Sequence, residues 1–354
     1  MCSSCCKLNK SLLCILLYTK AVNSMNSERQ PKSMTLKLIR HWFPVNESTR
    51  LKRMDKGYAS SNWIFSYNGS RYMLKRFMSF KKKADIEKEY KLTNYVRSSG
   101  FPFKVPEMLL TTGKKPYIES EGALYSMYLF IPGKADMPIT RADSYEVGTL
   151  TAKLHNIFEK PRFIAARREG YQALENIKKR LESSYESALR RKGVEDKAFI
   201  SAYRFFMPLL ESLDLSYYET LKRYPVHCDI APDNMLWRNG KIYALIDFAN
   251  IANYRDAFLM DLAWAIHFCC ADKKARRSYD KALIKALLDG YASLRSLSKE
   301  DMETLPSLVA ITNASDLEFF YNSGRKTPEQ KVLKIKSQVE LTKWILGNKN
   351  SISP

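Results

Sequence analysis

The chain has 354 residues, a formal net charge of +21 and 45% hydrophobic residues. That length buries a large core in one large domain or two lobes, and an ordinary apolar fraction excludes a disordered or fibrous chain. The charge admits nucleic acid, anionic membrane or phosphate ligands. However, the basic clusters Lys81-Lys82-Lys83, Lys178-Lys179-Arg180, Arg190-Arg191-Lys192 and Lys273-Lys274 come with no aromatic-basic repeat or zinc spacing. They read as solvated faces, so no nucleic-acid partner is expected.

Residues 1–34 read as poorly ordered or as an upstream extension, with Met25 or Met34 as the start. The apolar run 11–18 weakly resembles a signal-peptide core but is too short to span a bilayer, so no membrane partner is expected. Of seven cysteines, Cys2, Cys5, Cys6 and Cys14 lie in this segment, and Cys228, Cys269 and Cys270 lie far downstream. The odd count is no disulfide framework and fits a reducing compartment.

A short helix is expected over 35–45. Gly57 to Ser61 form a small-residue loop running through Asn62 into a strand. Asn68-Gly69 is a hairpin turn, and Arg71–Phe77 is the return strand. Residues 84–97 are helical in pattern and end at Ser98-Ser99-Gly100. Leu124–Ile131 reads as a strand broken by Pro132-Gly133, and 143–158 as an amphipathic helix. Residues 170–222 are mostly helical, a core helix opens at Asp261, and 278–346 is helical again.

Between these helices lies a polar constellation on an apolar background: His227, Asp229, Asn234 and Asp247. Met235–Trp237 and Ile242–Ile246 are short strands joined by a turn carrying Asn239-Gly240, whose two central positions need φ > 0. The hairpin folds its ends together, so Asn234 and Asp247 are expected side by side. An amide oxygen beside a carboxylate suits Mg²⁺, a hard ion that prefers oxygen ligands. Asp229, five residues before Asn234, presents a second carboxylate from the loop leading in.

The spacing His227-x-Asp229-(four residues)-Asn234, then Asp247-Phe248, is that of a kinase catalytic loop and its metal-binding aspartate. These residues resemble the aminoglycoside phosphotransferase/choline kinase-like family. Asp261-Leu262-Ala263-Trp264 and Leu150-Thr151-Ala152-Lys153-Leu154-His155 are similar to two further segments of it, and the likeness covers roughly residues 50–310. Gly57–Asn62, Pro232-Asp233-Asn234 and Gly290-Tyr291 through Leu297 look like its homoserine kinase branch. Cys228 stands where the family has glycine, and the phosphate loop holds one glycine, Gly57.

The resemblance implies an α+β, two-lobed protein-kinase-like fold. Its N-lobe, 35–131, would be a small five-stranded antiparallel sheet with one helix and would bind nucleotide. Its larger, mostly helical C-lobe, 132–346, would carry catalysis and the acceptor, leaving a tail at 347–354. ATP and Mg²⁺ are the implied cofactors, and a small-molecule hydroxyl is the acceptor: homoserine, amino alcohol, sugar or aminoglycoside. Asp229 would orient and deprotonate that hydroxyl. Asn234 and Asp247 would hold Mg²⁺, with His227 and Asp261 bracing the loop. Ser60, Ser61 and Asn62 would line the phosphates. Lys75, paired with Glu89, would reach them, and backbone at Leu129 and Ile131 would bond adenine. The need for ATP points to the cytoplasm. A protein Ser/Thr kinase would show Ala-Pro-Glu closing an activation segment. Asp261 follows Phe248 by only thirteen positions with no such triplet. A non-catalytic pseudokinase-like binder is opposed by the intact Lys75, Asp229, Asn234 and Asp247.

Overall fold

The computed structural model describes residues 31–54, 60–77, 81–160, 174–249, 255–272, 277–324 and 326–351. The expected extension through residue 30 and Gly57 to Ala59 of the phosphate loop lie outside them. The chain divides into two compact units, one running to Ser98 with Lys104–Pro132, the other Ser99–Phe103 with Gly133 onward.

The first unit is built on an antiparallel sheet. Its elements are α1 (Lys32–Ile39), β1 (Lys52–Met54), β2 (Ser60–Tyr67), β3 (Ser70–Phe77), α2 (Lys83–Ser98), β4 (Met108–Leu109), β5 (Ile118–Ser120) and β6 (Ala123–Leu129). The strand order is β1-β2-β3-β6-β4, with β5 also paired to β6. That makes six strands where five were expected, because the short β5 folds back on β6. Period-two alternation sorts β6 between two cores. Ala123, Tyr125 and Met127 join Leu36, Ile39, Trp63, Phe65 and Leu74 on the α1 side. Leu124 and Tyr128 join Phe77 and Ile86 on the α2 side. Among the described residues the unit thus holds two helices rather than one. The first begins at Lys32, inside the stretch expected to be unstructured, and ends at Ile39 rather than 45. Trp42 and Phe43 pack on the sheet from the turns that follow. Their apolar side chains had extended the helical pattern past its end.

The second unit is mostly helical: α3 (Arg141–Phe158), α4 (Leu174–Arg191), α5 (Val194–Ser212), α6 (Ser216–Thr220), β7 (Tyr224–Pro225), β8 (Met235–Arg238), β9 (Lys241–Leu245), β10 (Arg255–Asp256), α7 (Phe258–Cys269), α8 (Lys281–Ala292), α9 (Lys299–Asn322) and α10 (Pro328–Gly347). A capping box starts α3, with Thr140 Oγ1 accepting from Asp143 N–H and the Asp143 carboxylate accepting from Thr140 N–H. The β8–β9 hairpin turns at Asn239 and Gly240, at φ 53° and 74°. Helix α7 is buried on nearly all sides, from Leu259 to Cys269. Among the described residues no helix is long and apolar enough to cross a membrane.

Two glycines set the closest helix crossing. A Cβ built on Gly148 of α3 would stand 2.0 Å from the Leu287 carbonyl oxygen of α8, and one on Gly290 would stand 2.1 Å from that of Tyr145. Backbone meets backbone here because neither residue carries a side chain.

Candidate active site

The loop after β7 is gripped by one carboxylate. Asp261, in the first turn of α7, accepts the His227 N–H on Oδ2 at 2.8 Å and the Cys228 N–H on Oδ1 at 2.5 Å. Cys228 sits at φ +53°, in the left-handed region. That is the physical reason a glycine suits this position, since an L side chain there costs roughly 1–2 kcal/mol. Burial raises the Cys228 thiol well above its usual range, so it stays a neutral packing group.

Asp261 is oriented in turn by a residue whose motif, but not whose contact, was visible in the sequence. His155 Nε2 lies 3.1 Å from Asp261 Oδ2, and its Nδ1 lies 3.0 Å from the Tyr291 hydroxyl of α8. Its ring stacks on Phe258. His227 braces the loop through its backbone. Its ring nitrogens are buried without a hydrogen-bond partner, and the ring packs edge-on to Phe248.

The hairpin base closes as its turn chemistry implies. Ile246 N–H donates to the Asn234 carbonyl at 2.8 Å, which brings Asp247 back beside Asn234. Asn234 Nδ2 donates to the Asp229 carbonyl at 3.0 Å. Only the amide's NH₂ end can face that carbonyl, so its oxygen points elsewhere. Asp247 holds φ +61°, which aims its side chain out of the strand direction. Burial, then the charges of Asp247 and Asp233, push the Asp229 carboxyl well above the usual carboxylate range. A carboxylate cluster that raises its own members is a natural cation site. Among the described residues no group of three or more His, Cys, Asp and Glu forms a metal cage. A pair of oxygen ligands completed by phosphate and water is what Mg²⁺ uses instead.

In the first unit, Asn62 and Lys75 are directly paired across β2 and β3, so their side chains share one face of the sheet. That is the α2 face, since Phe77 lies two residues along from Lys75 and packs with Ile86. Ser61 alternates to the opposite face and is buried there. The hydroxyl role expected of Ser61 is therefore not supported. Ser60 opens β2, paired with Phe77. Glu89 is 2% exposed on α2, accepts the Tyr128 hydroxyl at 3.1 Å, and has the Lys81 ammonium 3.5 Å from Oε2. Lys81 thus supplies a cation at Glu89. Leu129 N–H is engaged with the Glu107 carbonyl at 2.9 Å. Ile131 N–H takes no backbone acceptor among the described residues.

The buried His155 and His227 make a pH prediction. Burial lowers both His155 and His227 below their ordinary 6.5. Unfolding frees each ring to take a proton below that pH, while the folded ring stays neutral. Their contribution to stability is therefore complete above about pH 6.5 and declines as pH falls, by about 1.4 kcal/mol per pH unit per ring. His155→Gln should remove that ring's share, about 1.4 kcal/mol per pH unit below pH 6.5, from the pH dependence of stability, to which the raised Asp229 carboxyl contributes with the opposite sign. A parental slope in that variant would contradict the neutral, buried assignment.

Residues 50–297 match the model of a family described as the phosphotransferase enzyme family. A homoserine kinase of Chelativorans sp. (strain BNC1) is 26% identical over 273 residues, covering 76% of this chain and 79% of that protein. Among solved structures, a microcompartment-associated aminopropanol kinase superposes with a TM-score of 0.63 at 14% identity, over 90% of this chain and 98% of that one. A choline kinase from Cryptosporidium parvum gives 0.59 at 14% identity, over 92% and 98%. The structural likeness establishes the fold, the two-lobed kinase-like α+β architecture implied by the sequence.

Proposed function

The chain belongs to the phosphotransferase enzyme family and is a homoserine kinase-like small-molecule kinase, and from that premise we propose that it moves the γ-phosphate of ATP, with Mg²⁺, to the hydroxyl of a small amino-bearing acceptor, homoserine foremost. One observation carries this reading. Asp261 fixes the two N–H groups immediately before Asp229, whose raised carboxyl stands with Asn234 and Asp247. A carboxyl with a raised pKa is suited to take a proton from an alcohol near neutral pH.

In this reading Asp229 orients the acceptor hydroxyl and receives its proton. Asn234, through its amide oxygen, and Asp247 would hold Mg²⁺, which when bound offsets charge on the transferring phosphate. The sheet unit binds the nucleotide, with Lys75 and Asn62 at the phosphates and the Leu129 carbonyl and Ile131 N–H at adenine. Glu89 positions the lysine. The helical unit carries catalysis and the acceptor, and the cytoplasm supplies ATP.

Lys75→Ala should weaken ATP·Mg²⁺ binding by roughly ten- to a hundredfold, the loss of a hydrogen bond to a charged group at about 1.5–3 kcal/mol. Unchanged affinity by calorimetry would remove Lys75 from the site. The deciding experiment is a phosphotransfer screen with ATP, with and without Mg²⁺, across homoserine, amino alcohols, sugars and aminoglycosides. Mg²⁺-dependent product with an amino-bearing alcohol is expected. No phosphorylated product from any acceptor would overturn the proposal.

A further inference from the structure

The second unit holds a buried charged cluster that the scheme above does not use. Asp316 of α9 is 4% exposed. Its Oδ2 takes three contacts: His267 Nε2 at 2.8 Å, Lys334 Nζ at 2.7 Å and Gln338 Nε2 at 3.0 Å. Among the described residues none falls on Oδ1. Two polar atoms of neighbouring side chains are buried without a hydrogen-bond partner, Gln338 Oε1 and the Trp264 indole N–H. The Trp264 ring stands edge-on to His267, 5.6 Å between centroids. Buried polar atoms are nearly always paired in a finished core. An idle carboxylate oxygen, an idle amide oxygen and an idle N–H in one place mark a spot where a ligand completes the bonding.

The cluster is tied to the reaction centre. Trp264 and His267 follow Asp261 along α7 by one and two turns, about 9 Å of rise in all. Burial alone would raise Asp316, but Lys334 and His267 outweigh it and hold the group ionised, well below the usual range. Lys334 keeps 16% of its side chain exposed and lies over the Phe320 ring at 4.5 Å, so its ammonium borders solvent. The result is one anion and one cation in contact, each with bonding capacity left.

We propose that the Asp316–Lys334 pair recognises the head group of the acceptor, Asp316 Oδ1 taking the ammonium and Lys334 the carboxylate of a hydroxyl-bearing α-amino acid. This rests on the hydroxyl-kinase reading above. An α-amino acid carries its two opposite charges on one carbon, as the pair carries them at one contact, so the two match charge against charge. An amino alcohol engages Asp316 Oδ1 but offers the remaining N–H groups of Lys334 no carboxylate, so Lys334 keeps Asp316 as its only anion in the pair. The pair therefore selects between two acceptors that share a hydroxyl and an ammonium.

The test is calorimetric titration of the full chain with L-homoserine, with aminopropanol, which lacks the carboxylate, and with γ-hydroxybutyrate, which lacks the ammonium. Homoserine should bind at least about tenfold more tightly than either. Lys334→Met should remove that advantage over aminopropanol while leaving aminopropanol binding within about twofold, and Lys334→Arg should restore much of it. Asp316→Asn should remove the advantage over γ-hydroxybutyrate. Should that buried variant fail to fold, the Lys334 pair of variants still decides. Equal binding of all three ligands by the parent, or equal loss of all three in Lys334→Met, would overturn the assignment. So would absence of binding while another alcohol is phosphorylated. Selective homoserine binding without phosphotransfer would instead sink the kinase reading and leave the recognition site standing.

Discussion

Asp229→Asn should lower turnover by about 10²–10⁴ while leaving ATP·Mg²⁺ affinity within a few-fold. The amide keeps the size and part of the hydrogen bonding but cannot take a proton. Stability should move the other way. The Asp229 carboxyl is raised by burial and by its acidic neighbours, so its ionised form opposes folding at neutral pH. A neutral amide relieves that repulsion, and the variant should melt at or above the parental temperature. Asp247→Asn makes the contrast. Asparagine tolerates the left-handed φ of +61° at this position, so the backbone should hold. The loss should then appear in the Mg²⁺ requirement as well as in rate. A loop-capping role for Asp229 predicts the reverse pattern, lower stability with little kinetic effect. Melting temperature, nucleotide affinity and turnover for both variants separate the cases. A folded Asp229→Asn protein with near-parental turnover would refute the proposed base.

Gly290→Ala should destabilise the protein by about 3 kcal/mol or more, against the sign that helix propensity alone gives. In an isolated helix, alanine gains up to about 1 kcal/mol over glycine. Here the new Cβ would lie 2.1 Å from a backbone oxygen of α3, which no rotamer change can relieve. Helix α8 must move outward, and Tyr291 moves with it, off Nδ1 of His155. Activity should therefore fall further than the folded fraction, because His155 orients the carboxylate that holds the catalytic loop. Gly148→Ala meets the same barrier from the other helix, at 2.0 Å from the Leu287 carbonyl oxygen. Denaturant midpoints of both variants check the crossing. A Gly290→Ala protein as stable as the parent would mean that the helices do not touch there.

Local chemistry was legible in the sequence. Asn68-Gly69 and Asn239-Gly240 both adopt positive φ at both positions, as their hairpins require. Helices expected over 84–97 and 143–158 occupy Lys83–Ser98 and Arg141–Phe158. The fold class followed from the motifs, and β6 ends at Leu129, two residues short of the expected Ile131. Contacts between distant segments were not legible. His155 meets Asp261 across 106 positions and Tyr291 across 136. Gly290-Tyr291 through Arg295 stood out as a likeness, but only the structure explains it. The glycine admits a neighbouring backbone, the tyrosine reaches His155, and Arg295 pairs with Asn156 and Glu159 at 2.7 and 2.8 Å. The Asp316 cluster likewise joins α7, α9 and α10, which no spacing rule connects. Ser61 turns its side chain away from Asn62 and Lys75 for a simpler reason. Taking three consecutive residues as one phosphate-facing group ignores that alternate strand residues face opposite ways.

The hydrogen bond from Asn234 to the Asp229 carbonyl makes the two residues one preorganised part. With its NH₂ end tied to the loop, the side chain has already lost its rotational freedom when the chain folds, so an incoming ligand has no such entropy left to remove. It also makes the position selective by chemistry rather than by shape. An aspartate of the same size would set a carboxylate oxygen against a carbonyl oxygen, replacing attraction with repulsion between two acceptors. Asn234→Asp, conservative by volume and richer in negative charge for a cation, should therefore loosen the very loop that presents Asp229.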